Sequence, residues 1–241
     1  MVNVDTVYQR VLAITNKEQR GYVTPQEFNL LANQAQMMIF EQYFYDLGKF
    51  LMEAGVSTTH ADIVNMLEEK ISIFEVTAIL NLTINPNGVA GNLNTLPRFY
   101  RLSNVRSDNL MMENVSRKDF RTFPNSPLTA PTSTRPIYMV DTANNTLQIA
   151  GSVFTSVDVD FIQSPTRVVW GYVITPPPTG GQGEAMYNAS ASQNFDLHPS
   201  EEGLLVIKIL ELAGITINKL GLAQTASNEE TEIITQQKLK Q

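Results

Sequence analysis

The sequence predicts an α+β protein. A helical bundle is expected from the N- and C-terminal helices, with a small antiparallel β domain, a sandwich or a barrel, inserted between them. Two observations predict it. Apolar residues recur at three- and four-residue steps before residue 72 and again after residue 199, the spacing of helices buried on one face. Between these stretches, β-branched residues alternate with polar ones in short runs separated by Asn, Gly and Pro, the pattern of strands and turns. The expected parts are the N-terminal helices over 1–72, the β domain over 73–194 with a mobile or partner-ordered loop at 175–194, and the C-terminal helices over 195–241.

Asn3 is placed to cap a first helix running to about Ile14, with Val4, Val7, Tyr8, Val11 and Leu12 on one stripe. The polar turn NKEQRG leads to the longest element, Thr24 to Met52. Thr24 suits the N-cap, Pro25 the first helical position and Glu27 the reciprocal position of a capping box, while Val23 and Phe28 have the spacing of a hydrophobic staple. Phe28, Leu31, Ala35 and Met38 are expected to face the C-terminal helix at Leu204 to Ile215. Phe40, Tyr43, Phe44, Tyr45 and Phe50 add more aromatic surface than one core face needs. A third helix is expected, capped by Thr59 and Asp62, with Ile63, Met66, Leu67 and Ile71 facing one way.

Ile73 to Ile84 alternates as a strand and ends in the turn Asn85-Pro86-Asn87-Gly88. Leu96 to Leu102 reads as a strand or loop at a sheet edge, Val115 to Phe120 as a short capped helix, and Phe123 to Pro136 as extended chain. Ile137–Val140 and Thr146–Ile149 flank Ala143-Asn144-Asn145 as a hairpin, Val153 to Ile162 alternates, and Arg167 to Thr175 reads as a strand carrying Trp170, the only tryptophan. After the loop, Pro199 to about Leu222 is a strongly apolar helix with Ser200, Glu201 and Glu202 at its start, where acids suit the helix dipole. Glu229 to Gln241 is a last helix with only Ile233, Ile234 and Leu239 as large apolar residues.

Composition narrows function. The 241 residues give ample length for a core, yet only 17% are charged, against a typical ~25%. Uncharged polar residues cover the surface instead, and part of it is expected to be buried by partners. The net charge of −7, with no Lys/Arg cluster, argues against binding driven by phosphate neutralisation. The absence of Cys removes disulfides, thiolate metal sites and a cysteine nucleophile. Met1 opens directly into a polar amphipathic segment, so no signal peptide is expected, and Leu204 to Leu210, broken by Lys208, is too short to span a membrane.

No catalytic, metal or cofactor site emerges. His60 and His198 lie near helix starts, without the spacing of a metal motif. Asp158 and Asp160 share a strand face and form a carboxylate pair only in principle; a solvated face explains them more simply. Gly180-Gly181-Gln182 matches the catalytic tip of peptide-release factors, but those proteins carry basic surfaces and this chain is acidic. The same loop lacks the pattern of a phosphate cradle.

Three blocks carry a family resemblance: VYQRVLAITNKEQRGYVTPQEFNLLANQAQMMIFEQYFYDL, SPLTAPTSTRPIYMV, and VDFIQSPTRVVWGYV followed by FDLHPSEEGLLVIKILELAGITI. Together they resemble a tail adaptor, or neck ring, protein of short-tailed phages: the head–tail connectors of podoviruses and the structural proteins of crAss-like and related phages. The likeness spans most of the chain as a pattern of elements, and its first block is the most specific. It implies a structural virion protein of the neck or tail, made in the host cytoplasm, and no enzyme. Copies would form a dodecameric ring between the portal protein and neighbouring tail or ring proteins, sealing and passing the genome during ejection. DNA would slide through without sequence-specific binding, past an acidic surface, with no membrane and no cofactor involved. Terminal segments and loops would make the contacts. On this sequence the expected partner-binding residues are Tyr43, Phe44 and Tyr45, then Met186 and Tyr187 in the loop, and Glu229, Glu230, Ile233, Ile234, Lys238, Leu239 and Lys240 at the end. The alternatives are a tail-tube or internal virion component, or a small hydrolase or release-type enzyme using Gly180-Gly181-Gln182.

Overall fold

The computed structural model describes residues 1–17, 23–52, 58–85, 88–107, 110–175 and 184–216. The chain divides into two compact units: Met1–Ile73 with Pro165–Gln241, and Phe74–Ser164. The fold is mixed, with five α-helices and a large barrel-like sheet among the described residues.

In the first unit, α1 (Val4–Lys17) starts where the Asn3 side chain accepts from the backbone N–H groups of Asp5 and Thr6. Helix α2 (Pro25–Met52) starts on the expected capping box: the Glu27 carboxylate accepts from the Thr24 N–H and hydroxyl, and the Thr24 hydroxyl accepts from the Glu27 N–H. Helix α3 (Thr58–Ser72) follows, and α5 (Glu202–Thr216) comes much later, after a 3-10 turn over Pro199–Glu201 that the His198 side chain caps. Helix α2 packs against α5 and α3, and α1 against α5. The buried stripe of α2 is Phe28, Leu31, Ala32, Ala35, Ile39 and Phe40, so the expected face turns away at Met38, which is exposed. On α3, Leu67 and Ile71 are buried, Ile63 is half-buried and Met66 is exposed, and the helix already begins at Thr58, so the expected caps Thr59 and Asp62 lie within it. No described helix is long and apolar enough to cross a membrane.

The second unit holds β1 (Glu75–Asn85), β2 (Gly88–Asn92), β3 (Phe99–Ser107), β4 (Leu110–Met111), β5 (Glu113–Asn114), a short helix α4 (Arg117–Thr122), β6 (Ile137–Asp141), β7 (Thr146–Ala150) and β8 (Ser156–Gln163). The strand order is β4-β3-β8-β1-β2-β7-β6-β5, antiparallel throughout except for the parallel β5–β6 pair. The outermost strands β4 and β5 are separated in sequence by Met112 alone, so the two edges of the sheet meet and the sheet curls nearly closed. This is a barrel rather than a sandwich. Leu80, Leu93, Val105, Tyr138, Leu147, Ile149, Val159 and Phe161 fill its interior. Outside, Phe120 of α4 covers Ile137 and Met139. Ser116 caps α4 as the sequence suggests, donating to Asp119 and accepting its N–H.

The expected boundary at residue 194 differs from the observed one. The barrel unit ends at Ser164, and the segment from Pro165 groups with the helices. The strand expected over Arg167 to Thr175 is shorter, β9 (Tyr172–Thr175), and part of the expected loop is a strand too, β10 (Glu184–Tyr187). These two pair only with each other, as an antiparallel hairpin. Leu96 to Leu102 lies at an edge as expected: β4 pairs only with Arg106 and Ser107 of β3, and Phe99, Arg101 and Leu102 pair with β8 alone.

Candidate functional site

The chemistry-bearing side chains are engaged structurally. Asp160 accepts from the Thr77 hydroxyl at 2.6 Å and from Arg106 at 3.1 Å on the outer face of the barrel, and Asp158 stands across from Ile79 and Arg106 in register. His198 Nδ1 accepts the Ser200 N–H and lies 2.8 Å from its hydroxyl, a helix-capping arrangement. Asp196 accepts the Thr166 N–H at 2.7 Å. Among the described residues no group of three His, Cys, Asp or Glu is placed to hold a metal ion. The side chain of His60 and the triplet Gly180-Gly181-Gln182 lie outside the described residues.

What the first unit builds with care is a surface. It begins with three amides on one face of α2. Asn29 donates to the Trp170 carbonyl and accepts the Trp170 N–H, Asn33 does the same for Val168, and Gln36 donates to the Thr166 carbonyl. Steps of four and three residues put these amides in a row along the helix. Alternate residues of an extended chain present their N–H and C=O to the same side, so the row meets residues 166, 168 and 170 as a neighbouring strand would. On its other side Val169 exchanges both main-chain hydrogen bonds with Gln193. Gln36 also accepts the Asp196 N–H, tying both stretches to one side chain.

This strap delivers Trp170, which is buried and donates from its indole N–H to Asp5 at 3.0 Å. Tyr8 lies against Trp170 at 4.4 Å between ring centroids, and Phe28 against Tyr8 at 4.6 Å. Tyr172 and Tyr187, directly opposite each other at the base of the β9–β10 hairpin, both rest on Trp170, at 5.8 and 5.7 Å. Beyond that base the hairpin is bare. Val173 and Met186 are opposite each other on one face, Ile174 lies on the other, and all three are exposed. A two-stranded sheet with apolar residues uncovered on both faces is marginal alone and suits a surface completed by a partner.

The expected partner residues separate accordingly. Met186 and Tyr187 belong to this hairpin. Tyr43 is buried within its own unit, with Lys70 Nζ 5.7 Å from its ring centre and Lys70 paired to Glu201 at 2.5 Å; Phe44 stacks edge-on against Phe40, while Tyr45 is exposed. Glu229, Glu230, Ile233, Ile234, Lys238, Leu239 and Lys240 lie outside the described residues. A single strand over Arg167 to Thr175 hides Val173 and Ile174 as contact residues: their alternation with Tyr172 is visible in the sequence, but not that β9 has one partner among the described residues. No family model matches the chain, and no curated protein matches it significantly.

Proposed function

We propose that this protein is a ring-forming structural subunit of a virion, a head–tail connector that joins a portal protein to the tail and lines part of the DNA exit path. In this reading it is not an enzyme. Helices from both ends of the chain close one bundle, and copies associate around a channel. The resemblance of the three sequence blocks to tail adaptors supports the reading. The structural observation that carries it is the β9–β10 hairpin, anchored on Trp170 and left apolar on both faces, because such a surface serves assembly rather than chemistry. The acidic balance of −7 suits a surface that passes DNA without holding it.

The test is co-expression with the portal protein of the same phage. Rings on the portal in electron micrographs, and the chain in purified particles at a copy number matching the ring, are expected. A chain that stays monomeric with portal and is missing from purified particles overturns the reading.

A further inference from the structure

Charge is distributed unevenly between the two units. Residues 74–164 hold seven Lys/Arg and seven Asp/Glu, and the other ten and seventeen carry the whole −7 of the chain. Within the neutral barrel unit, one end carries little charge, and the exposed ion pair it has is mutually neutralised. Strand β1 runs toward this end from Glu75, β8 runs away from it toward Gln163, and β3 runs toward it, so the far end holds Asn85, Gly88, Ser107 and Leu110 and the β7–β8 loop. The loop before β6 reaches the same end, since Thr132 and Pro136 crowd Gly151. Across the described residues 126–136 and 150–156 the only charged residue is Arg135, and it is neutralised by Glu113, with which it pairs at 3.0 Å. This is the end away from Phe74 and Ser164, where the chain enters and leaves the unit. It exposes Ile84 (66%), Met111 (61%), Leu128 (93%) and Val153 (67%).

The hairpin repeats that chemistry. Over 172–194 the only charged residue is Glu184, and Val173, Ile174 and Met186 are each more than half exposed. Depletion of charge together with exposed aliphatic side chains is the signature of an interface core. A strongly basic or acidic partner finds no complement at either patch. A lipid surface is disfavoured as well, because neither patch has the cluster of Lys/Arg that draws a protein to an anionic bilayer. The remaining acidic surface of one copy repels that of another, so the two neutral patches are where copies meet at least electrostatic cost.

We infer that the barrel end of one copy, built around Leu128 and Val153, docks on the β9–β10 hairpin of a second copy. Two different patches joined head to tail propagate through successive copies and close when the rotation allows, which is the geometry a ring needs. The inference rests on the ring reading above and names its contact.

The chain has no native Cys, so the contact can be trapped. In the full-length protein, Leu128→Cys and Met186→Cys combined should give, on mild oxidation, a ladder of disulfide-linked dimers and higher oligomers, while each single variant gives none. A dimer from either single variant means like meets like and overturns the inference. So does a double variant whose disulfide forms within one chain. Absence of any ladder while light scattering or micrographs show rings overturns the contact and leaves the ring reading standing. Absence of both oligomers and rings on portal removes both. Independently, Leu128→Ser with Val153→Thr should weaken self-association at least tenfold with an unchanged circular dichroism spectrum. Unchanged association, or flotation of the wild type with phosphatidylcholine vesicles, counts against the inference.

Discussion

Two stretches of extended chain in this protein are held in different ways. Strand β8 lies inside the barrel and gives its main chain to β1 on one side and β3 on the other. The strap Thr166–Trp170 gives its main chain on one side to side-chain amides of a helix. The first arrangement needs only that apolar residues keep alternating, since any residue supplies the ladder. The second needs Asn29, Asn33 and Gln36 in particular. Substitutions that spare one arrangement should therefore damage the other.

The largest effect is expected at the hub. Trp170→Ala should cost about 3–5 kcal/mol, the usual range for a large buried aromatic, measured as loss of the first unit's urea transition by far-ultraviolet circular dichroism. Phe161→Ala in the barrel interior should cost a similar amount, yet hydrogen exchange should accelerate in Tyr172–Thr175 and Glu184–Tyr187 only for the Trp170 variant. Equal exchange in both variants would mean that Trp170 does not hold the hairpin.

Next come the amides. Asn33→Leu leaves the N–H and C=O of Val168, a fully buried residue, without their partner, and two such groups cost about 2–4 kcal/mol. Asn81→Leu on the exposed outer face of β1 should stay within roughly 0.5 kcal/mol of wild type, as surface changes usually do. If the two variants unfold at the same urea concentration, the strap is not held by Asn33.

The glycines sharpen the contrast at smaller cost. A Cβ on Gly171 would stand 2.6 Å from the carbonyl carbon and oxygen of Ala191, and main chain cannot step aside. A Cβ on Gly91 would stand 2.6 Å from a methyl of Leu80 and 2.8 Å from one of Leu82, which can rotate away. Gly171→Ala should cost about 1–3 kcal/mol and Gly91→Ala less, read from thermal midpoints. The reverse order would show that the barrel interior is the stiffer of the two.

The same contrast explains what was legible. Alternation announced β1, β6, β7 and β8, and the capping residues Asn3, Thr24, Glu27 and Ser116 marked helix starts, because each signal lies within a few residues of the element it specifies. The amide row was illegible because Asn29, Asn33 and Gln36 look like ordinary polar positions until residues 130 or more away arrive beside them. Barrel closure was illegible for a related reason: it depends on β4 and β5, of two residues each, meeting different partners. Of the site, Met186 and Tyr187 were found through their unusual loop composition, whereas Leu128 sat in a stretch whose Pro, Ser and Thr read only as extended chain.

The smallest effect is expected at Tyr43, and its sign is opposite to the others. Its hydroxyl is buried and makes no hydrogen bond among the described residues. Burial, and secondarily the negative charge of Glu201, push its phenol far above the ordinary tyrosine range. An unfolded phenol ionises near pH ~10. Above that pH the unfolded chain releases a proton that folded Tyr43 retains, so its contribution is intact below about pH 10 and falls as pH rises, by roughly 1.4 kcal/mol per pH unit. In the barrel, burial also raises the phenol of Tyr138, so each unit carries its own alkaline weakness. Tyr43→Phe removes an unpaired buried hydroxyl and should leave the first unit equally stable or about 1 kcal/mol more stable at pH 7. It should also flatten that unit's loss of stability between pH 10 and 11 while the barrel's slope persists. Urea titrations at both pH values decide it: a variant clearly weaker than wild type at pH 7 would mean that the hydroxyl has a partner after all, and that Lys70, Glu201 and Tyr43 work as a polar network rather than as an ion pair beside a packed ring.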